Sequence, residues 1–299
     1  MVRVTAASPL LRRSEIGTLH GPGRWVRYRW LARRNPIGVI GLAVLIVVIV
    51  LAIFAGQVAP FDPAAQPAER LIPPDRTYLF GTDEFGRDVF SRVIWGTRIS
   101  LYVGIAAVTI ALLIGVTLGL ISGFYGGWPD SLIMRLVDIL FAFPTIVLAI
   151  AITGILGPNL TNATIAIGLV YAPVFARVTR GPVLSVVNDE YVQAARTVGA
   201  TNRRIVLRHV LPNVTAPLIV QTTLALSTAI LAEAALSFLG LGVKPPSPSW
   251  GGMLSDGRTF IRTYPHIAIF PGFAITVTVL AFNLFGDGLR DALDPRSRD

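Results

Sequence analysis

The sequence predicts an all-α polytopic membrane protein with six transmembrane helices and both termini in the cytoplasm. Three observations carry this expectation. Of the 299 residues, 53% are hydrophobic and 14% charged, against about 25% charged in an average soluble domain. Long apolar runs recur at the length a bilayer core requires, about 20 residues per helix. The basic residues are also unevenly placed. The segments assigned to the cytoplasm hold 18 basic and 9 acidic residues and the external ones 8 and 7, with Glu233 left inside a span. By the positive-inside rule this sets the orientation. It also accounts for the net charge of +9 without a nucleic-acid partner.

The elements follow in order. A cytoplasmic arm over residues 1–36 carries eight Arg and one acid, Glu15. A first transmembrane helix is expected over 37–56. Its run is too long and begins too late for a cleaved signal peptide. Residues 57–98 form an extracytoplasmic loop. A membrane domain over 97–287 then holds five helices, at about 99–125, 132–155, 158–178, 214–241 and 267–287. A cytoplasmic loop at 188–213 lies between the third and fourth of them, and a cytoplasmic tail follows over 288–299. No internal repeat is visible.

Several constellations stand out. The external loop packs Thr82, Asp83, Glu84, Arg87 and Asp88 between and beside Gly81 and Gly86. Glycines permit tight turns, so this segment is either a self-bonded cap over helix ends or a docking surface for an external partner. Gly115, Gly119 and Gly123 recur every four residues and predict a flat face for close helix packing. Arg135 and Asp138, three apart, are expected to pair on one helix face. Glu233 is the one acid deep in a span, fitting either a structural hydrogen bond or a lining role.

The segment 188–213 predicts two short helices meeting at a turn. Asn188, Asp189 and Glu190 suit a helix start, Gly199 a stop, Thr201 or Asn202 a restart, and Pro212 an end. Small Ala194 and Ala195 would let the first helix lie close to the second. The pattern mimics a DNA-reading helix-turn-helix, but spans flank it closely and no third helix completes a core. A rigid cytoplasmic hairpin joined to two spans is instead a lever, and something else must drive it. The chain has no phosphate-binding GxxxxGK[ST] loop, no HExxH and no GxSxG, and no Cys. A membrane-embedded enzyme therefore lacks an identifiable centre. An ion-driven carrier would call for inverted repeats and broken helices, and the sequence displays neither.

The hairpin resembles the EAA loop of ABC importer permeases. Gln193-Ala194-Ala195, Gly199-Ala200-Thr201 and Leu211-Pro212 fall on that loop's spacing, with Gln193 in place of its Glu and His209 in place of its Ile. Glu190 keeps an acid on the same helix face. The rest is similar to the DppC/OppC-type permeases of the peptide and nickel subfamily. The matching segments include Arg34-Asn35-Pro36, Gly81-Thr82-Asp83 with Gly86-Arg87-Asp88, Met134-Arg135 with Asp138, Glu233-Ala234, Trp250-Gly251 and the run from Gly286 to Pro295.

The resemblance implies a type I ABC importer permease, non-catalytic itself. A second homologous permease would complete the pathway. Two ATPase subunits would bind ATP and Mg and dock on the EAA loops, and an extracytoplasmic binding protein would deliver a peptide. No cofactor and no metal are expected in this chain. Nickel chelates, glutathione and oligosaccharides are the alternative cargoes.

Overall fold

The computed structural model describes residues 35–293; the N-terminal arm up to Arg34 and the tail beyond Leu293 lie outside the described residues. Within that range the chain is helical, and its extended pairing is a single antiparallel bridge between Thr82 and Asp88.

Helix α1 (Pro36–Ile53) opens with Asn35 as its N-cap, the side chain accepting from Gly38 N at 3.1 Å, and with Pro36 in its first turn. A proline there loses nothing, because the first amides of a helix have no helical acceptor. A one-turn helix α2 (Ala55–Val58) follows. Helix α3 (Val89–Tyr125) is 37 residues long and begins ten residues before the predicted start. The turn-rich signature segment directly precedes it, and Asp88 caps it by accepting from Ser91 N at 2.8 Å.

The third crossing departs from expectation. Instead of one helix over 132–155, α4 (Gly127–Phe141) and α5 (Thr145–Leu156) meet at 92°. Pro144 (ψ 128°) explains the break. Its ring disfavours helical geometry in the residue before it and removes an amide donor. Helix α6 (Leu160–Val186) follows. With the bent pair counted as one crossing, six segments are long and apolar enough to span a bilayer.

The glycine face predicted on α3 packs directly on α6. A Cβ on Gly115 would sit 2.4 Å from Ala172 O, one on Gly119 2.5 Å from Ala176 O, and one on Gly123 2.7 Å from Val183 Cγ1. The contacts advance together along both helices, so α3 and α6 run parallel. The bent pair between them must therefore carry the chain back across.

Helix α7 (Glu190–Thr197) is the first arm of the predicted hairpin. The second arm is not a separate short helix. Helix α8 (Asn202–Ile205) continues through a π-helical turn at Val206–Val210 into α9 (Leu211–Phe238), forming one 37-residue rod. Pro212 therefore does not end the helix. Its missing donor is absorbed by the wider turn, in which Leu211 N bonds Val206 O, and Asn213 Nδ2 satisfies His209 O at 2.6 Å. A short helix α10 (Trp250–Gly257) and a final helix α11 (His266–Leu293) complete the fold. The last helix runs through residues 288–293, assigned from sequence to the tail.

Candidate functional site: the coupling hairpin and the external cap

The hairpin is seated by apolar anchors. Val192, Ile205, Val210 and Val214 are fully buried in the main core with Val183 of α6. Ala195 and Ala200 are half-buried against the same core, whereas Ala194 faces outward. Only one of the paired alanines therefore serves close approach. Gly199 adopts φ +83°, and Ala200 N bonds back to Ala195 O at 3.0 Å while Gly199 N bonds Arg196 O at 2.9 Å. This is a Schellman stop, whose left-handed residue is best met by glycine. Thr201 then caps α8, accepting from Arg204 N at 3.4 Å.

Three further contacts tie α7 to its neighbours. Asn213 Nδ2 donates to Tyr191 OH at 3.0 Å, and the Arg196 guanidinium lies 5.3 Å from the Phe124 ring centroid. Gln193 Nε2 donates to Val187 O at 3.0 Å, across the α6–α7 joint. Gln193 is thus spent on the backbone; a Glu in its place could not donate that bond. Glu190, in the first turn of α7, is exposed and makes no ion pair among the described residues. The tip exposes Val198 at 88%, a large apolar residue that nothing among the described residues covers. Leu211 and Pro212 sit at the start of α9, below the π turn.

The external signature segment folds as a cap bonded to itself. Asp83 accepts from Phe85 N (2.9 Å), Arg87 N (3.0 Å) and Arg87 Nε (2.6 Å), and its carboxylate lies 3.4 Å from Arg92 Nε. Thr82 Oγ1 accepts from Ile72 N and donates to Glu69 O. Gly81 and Gly86 have φ +74° and +78°, and a Cβ on either would lie within 2.4 Å of a backbone carbonyl. Arg92 Nη1 donates to Pro63 O and Pro246 O, and Trp250 Nε1 donates to Val93 O at 3.0 Å. These bonds join the cap to the loop before α10. Burial pushes the Glu84 and Asp256 carboxyls above their usual range. Leu79 and Phe85 face outward.

The remaining intramembrane polar residues do not form one site. Glu233 is buried between α9 and α3, accepting from Ser237 Oγ at 2.7 Å and Ser100 Oγ at 3.1 Å. That is the structural hydrogen bond of the two sequence-based alternatives. Arg135 and Asp138 do not pair. Asp138 bonds Arg177 of α6, against which α4 packs, and Arg135 is exposed. Asp130 likewise holds Arg180 through two bonds of 2.6 Å. Sequence reasoning missed Arg177 and Arg180 as partners; the signal was an unexplained pair of arginines at the end of a span.

Comparison with known proteins resolves the family. The profile of the binding-protein-dependent transport system inner membrane component matches residues 115–299. The chain belongs to that family. The profile of the N-terminal TM domain of oligopeptide transport permease C matches residues 23–74 of this permease. It is 51% identical to the dipeptide transport system permease protein DppC of Alkalihalophilus pseudofirmus, over 89% of this chain and 88% of the relative. It is 47% identical to the di/tripeptide transport system permease protein DppC of Pseudomonas aeruginosa (87% and 88% covered). Identity to the glutathione transport system permease protein GsiD of Pectobacterium atrosepticum is 43% (97% and 96% covered). An inward-facing structure of the MetNI methionine ABC transporter shares the fold at TM-score 0.56 and 19% identity, covering 69% of this permease and 97% of that chain.

Proposed function

We propose that this permease moves di- or oligopeptides inward across the cytoplasmic membrane of a bacterium or archaeon, as one transmembrane subunit of an ATP-driven importer. A second homologous permease forms the other half of the path. Two ATPase subunits bind ATP and Mg and dock on the hairpins, and an extracytoplasmic binding protein delivers the peptide to the capped face. The observation that carries the reading is the hairpin tip. Val198, 88% exposed, protrudes on a short helix that is locked to both α6 and α9, so a push on the tip is transmitted into two spans. The substrate class rests on the peptide-named relatives; glutathione, itself a tripeptide, falls in the same chemical range.

The test is reconstitution with the partner subunits, measuring dipeptide uptake, ATP hydrolysis and co-purification of the ATPases. Val198→Asp is expected to abolish co-purification, since a charge would have to be buried in the docking groove, and Glu190→Gln to weaken it. ATPase binding unaffected by both substitutions would overturn the assignment of the hairpin as the docking site. Uptake of nickel chelates with none of peptides would overturn the substrate class.

A further inference from the structure

A groove of about 300 Å³ opens among α5, α6 and α9, lined by Thr145, Ala149, Tyr171, Thr228 and Ala232, among others. Among the described residues, no charged one lines it. Tyr171 OH reaches Thr228 O at 3.4 Å, and Thr228 Oγ1 donates to Leu224 O and Ala225 O, which leaves that hydroxyl free to accept. The Thr145 hydroxyl has no hydrogen-bond partner among the described residues, nor has the side-chain amide of Gln221. Gln221 lies seven residues before Thr228, on the same face of α9.

Unpaired amide and hydroxyl groups deep in a span are costly against lipid, which cannot bond them. Something polar must face them. The close contact of α3 on α6 uses a flat glycine face. This surface is concave instead, with small Ala149 and Ala232 in the groove wall. An amide and hydroxyls can exchange donors and acceptors with any peptide backbone, whatever its side chains. The absence of charge leaves no group that would trap an acidic or a basic residue in passage.

We propose that Tyr171, Thr228, Thr145 and Gln221 form a passage site that contacts the main chain of the moving peptide and is indifferent to its side-chain charge. This rests on the peptide-importer reading above, and the experiment separates the two. In the reconstituted complete importer, uptake of Asp-Asp and Lys-Lys is compared at saturating delivery. Thr228→Asp is expected to slow the acidic dipeptide about tenfold more than the basic one, because like charges repel strongly away from water. Thr228→Val should lower uptake of both alike, about threefold, with ATP hydrolysis retained. Since the chain has no Cys, Thr228→Cys supplies an independent readout. It should react with a water-soluble thiol reagent and be protected during turnover with dipeptide.

Equal slowing of both dipeptides by Thr228→Asp would overturn the proposal. So would a Cys at 228 that is inert to the water-soluble reagent, or one that crosslinks to the second permease. A wild-type complex that imports no peptide would instead refute the substrate class.

Discussion

At the scale of single residues, the cap holds carboxylates where water is scarce. Glu84 Oε2 and Asp88 Oδ1 are buried without a hydrogen-bond partner, and Glu84 Oε1 is 3.6 Å from the nearest Arg87 nitrogen. Burial raises the Glu84 carboxyl above its ordinary 4.5, outweighing the backbone hydrogen bond and the Arg87 charge that would lower it. A raised carboxylate favours the folded state only while protonated. Its contribution is fully present below the ordinary value and is lost as pH climbs through the raised one. At neutral pH the charge on Glu84 therefore works against the cap. Glu84→Gln is expected to raise the unfolding temperature of the purified permease by a few degrees at pH 7.5 and to leave it nearly unchanged at pH 4. Equal shifts at both pH values would assign the gain to packing instead. Glu233 is the contrasting case, since two serine hydroxyls serve its two oxygens.

At the scale of elements, the hairpin turn tests the lever. A Cβ on Gly199 would meet nothing within 4 Å, so substitution there acts through the backbone alone. Val at φ +83° is strained by on the order of 1–3 kcal/mol, whereas Asn tolerates the left-handed region. Gly199→Val should uncouple uptake from ATP hydrolysis and Gly199→Asn should retain most coupling, measured as peptide transported per ATP consumed. Wild-type coupling with Val at 199 would refute a rigid joint.

The helix stop at Gly199, a restart at Thr201 or Asn202, of which Thr201 is the cap, and the glycine seam on α3 were all legible in the sequence, because each is written in local residue types. The bend before α5 was not. An apolar run reads as one span by hydropathy, and Pro144 alone does not distinguish a kink from a 92° turn. The partners of Asp130 and Asp138 were hidden because they are not local. Arg180 and Arg177 lie 50 and 39 residues further along the chain, and packing of α4 on α6 brings them within reach. Pro212 misled in the opposite direction, since a π turn lets a helix pass a proline.

At the scale of the whole molecule, the two ends of the bundle carry different chemistry. Asn35 Nδ2 donates to Asp291 Oδ2 at 2.7 Å, and the backbones of Gly38 and Gly288 nearly touch, so α1 begins where α11 ends. The cap lies at the other end of α11, where His266 Nε2 approaches Thr82 O at 3.4 Å. Helix α3 leaves the cap and runs parallel to α6, which delivers the chain to the hairpin. Hairpin and both described ends therefore share one face, opposite the cap. The sequence assigns 18 basic residues to the cytoplasmic segments and 8 to the external ones, so the positive-inside rule expects the hairpin in the cytoplasm. Without native Cys, single substitutions can be labelled cleanly in intact cells. Arg76→Cys should react with a membrane-impermeant maleimide from outside, and Val198→Cys only after the membrane is opened. Labelling of position 198 in intact cells would invert the molecule and with it the direction in which the lever faces.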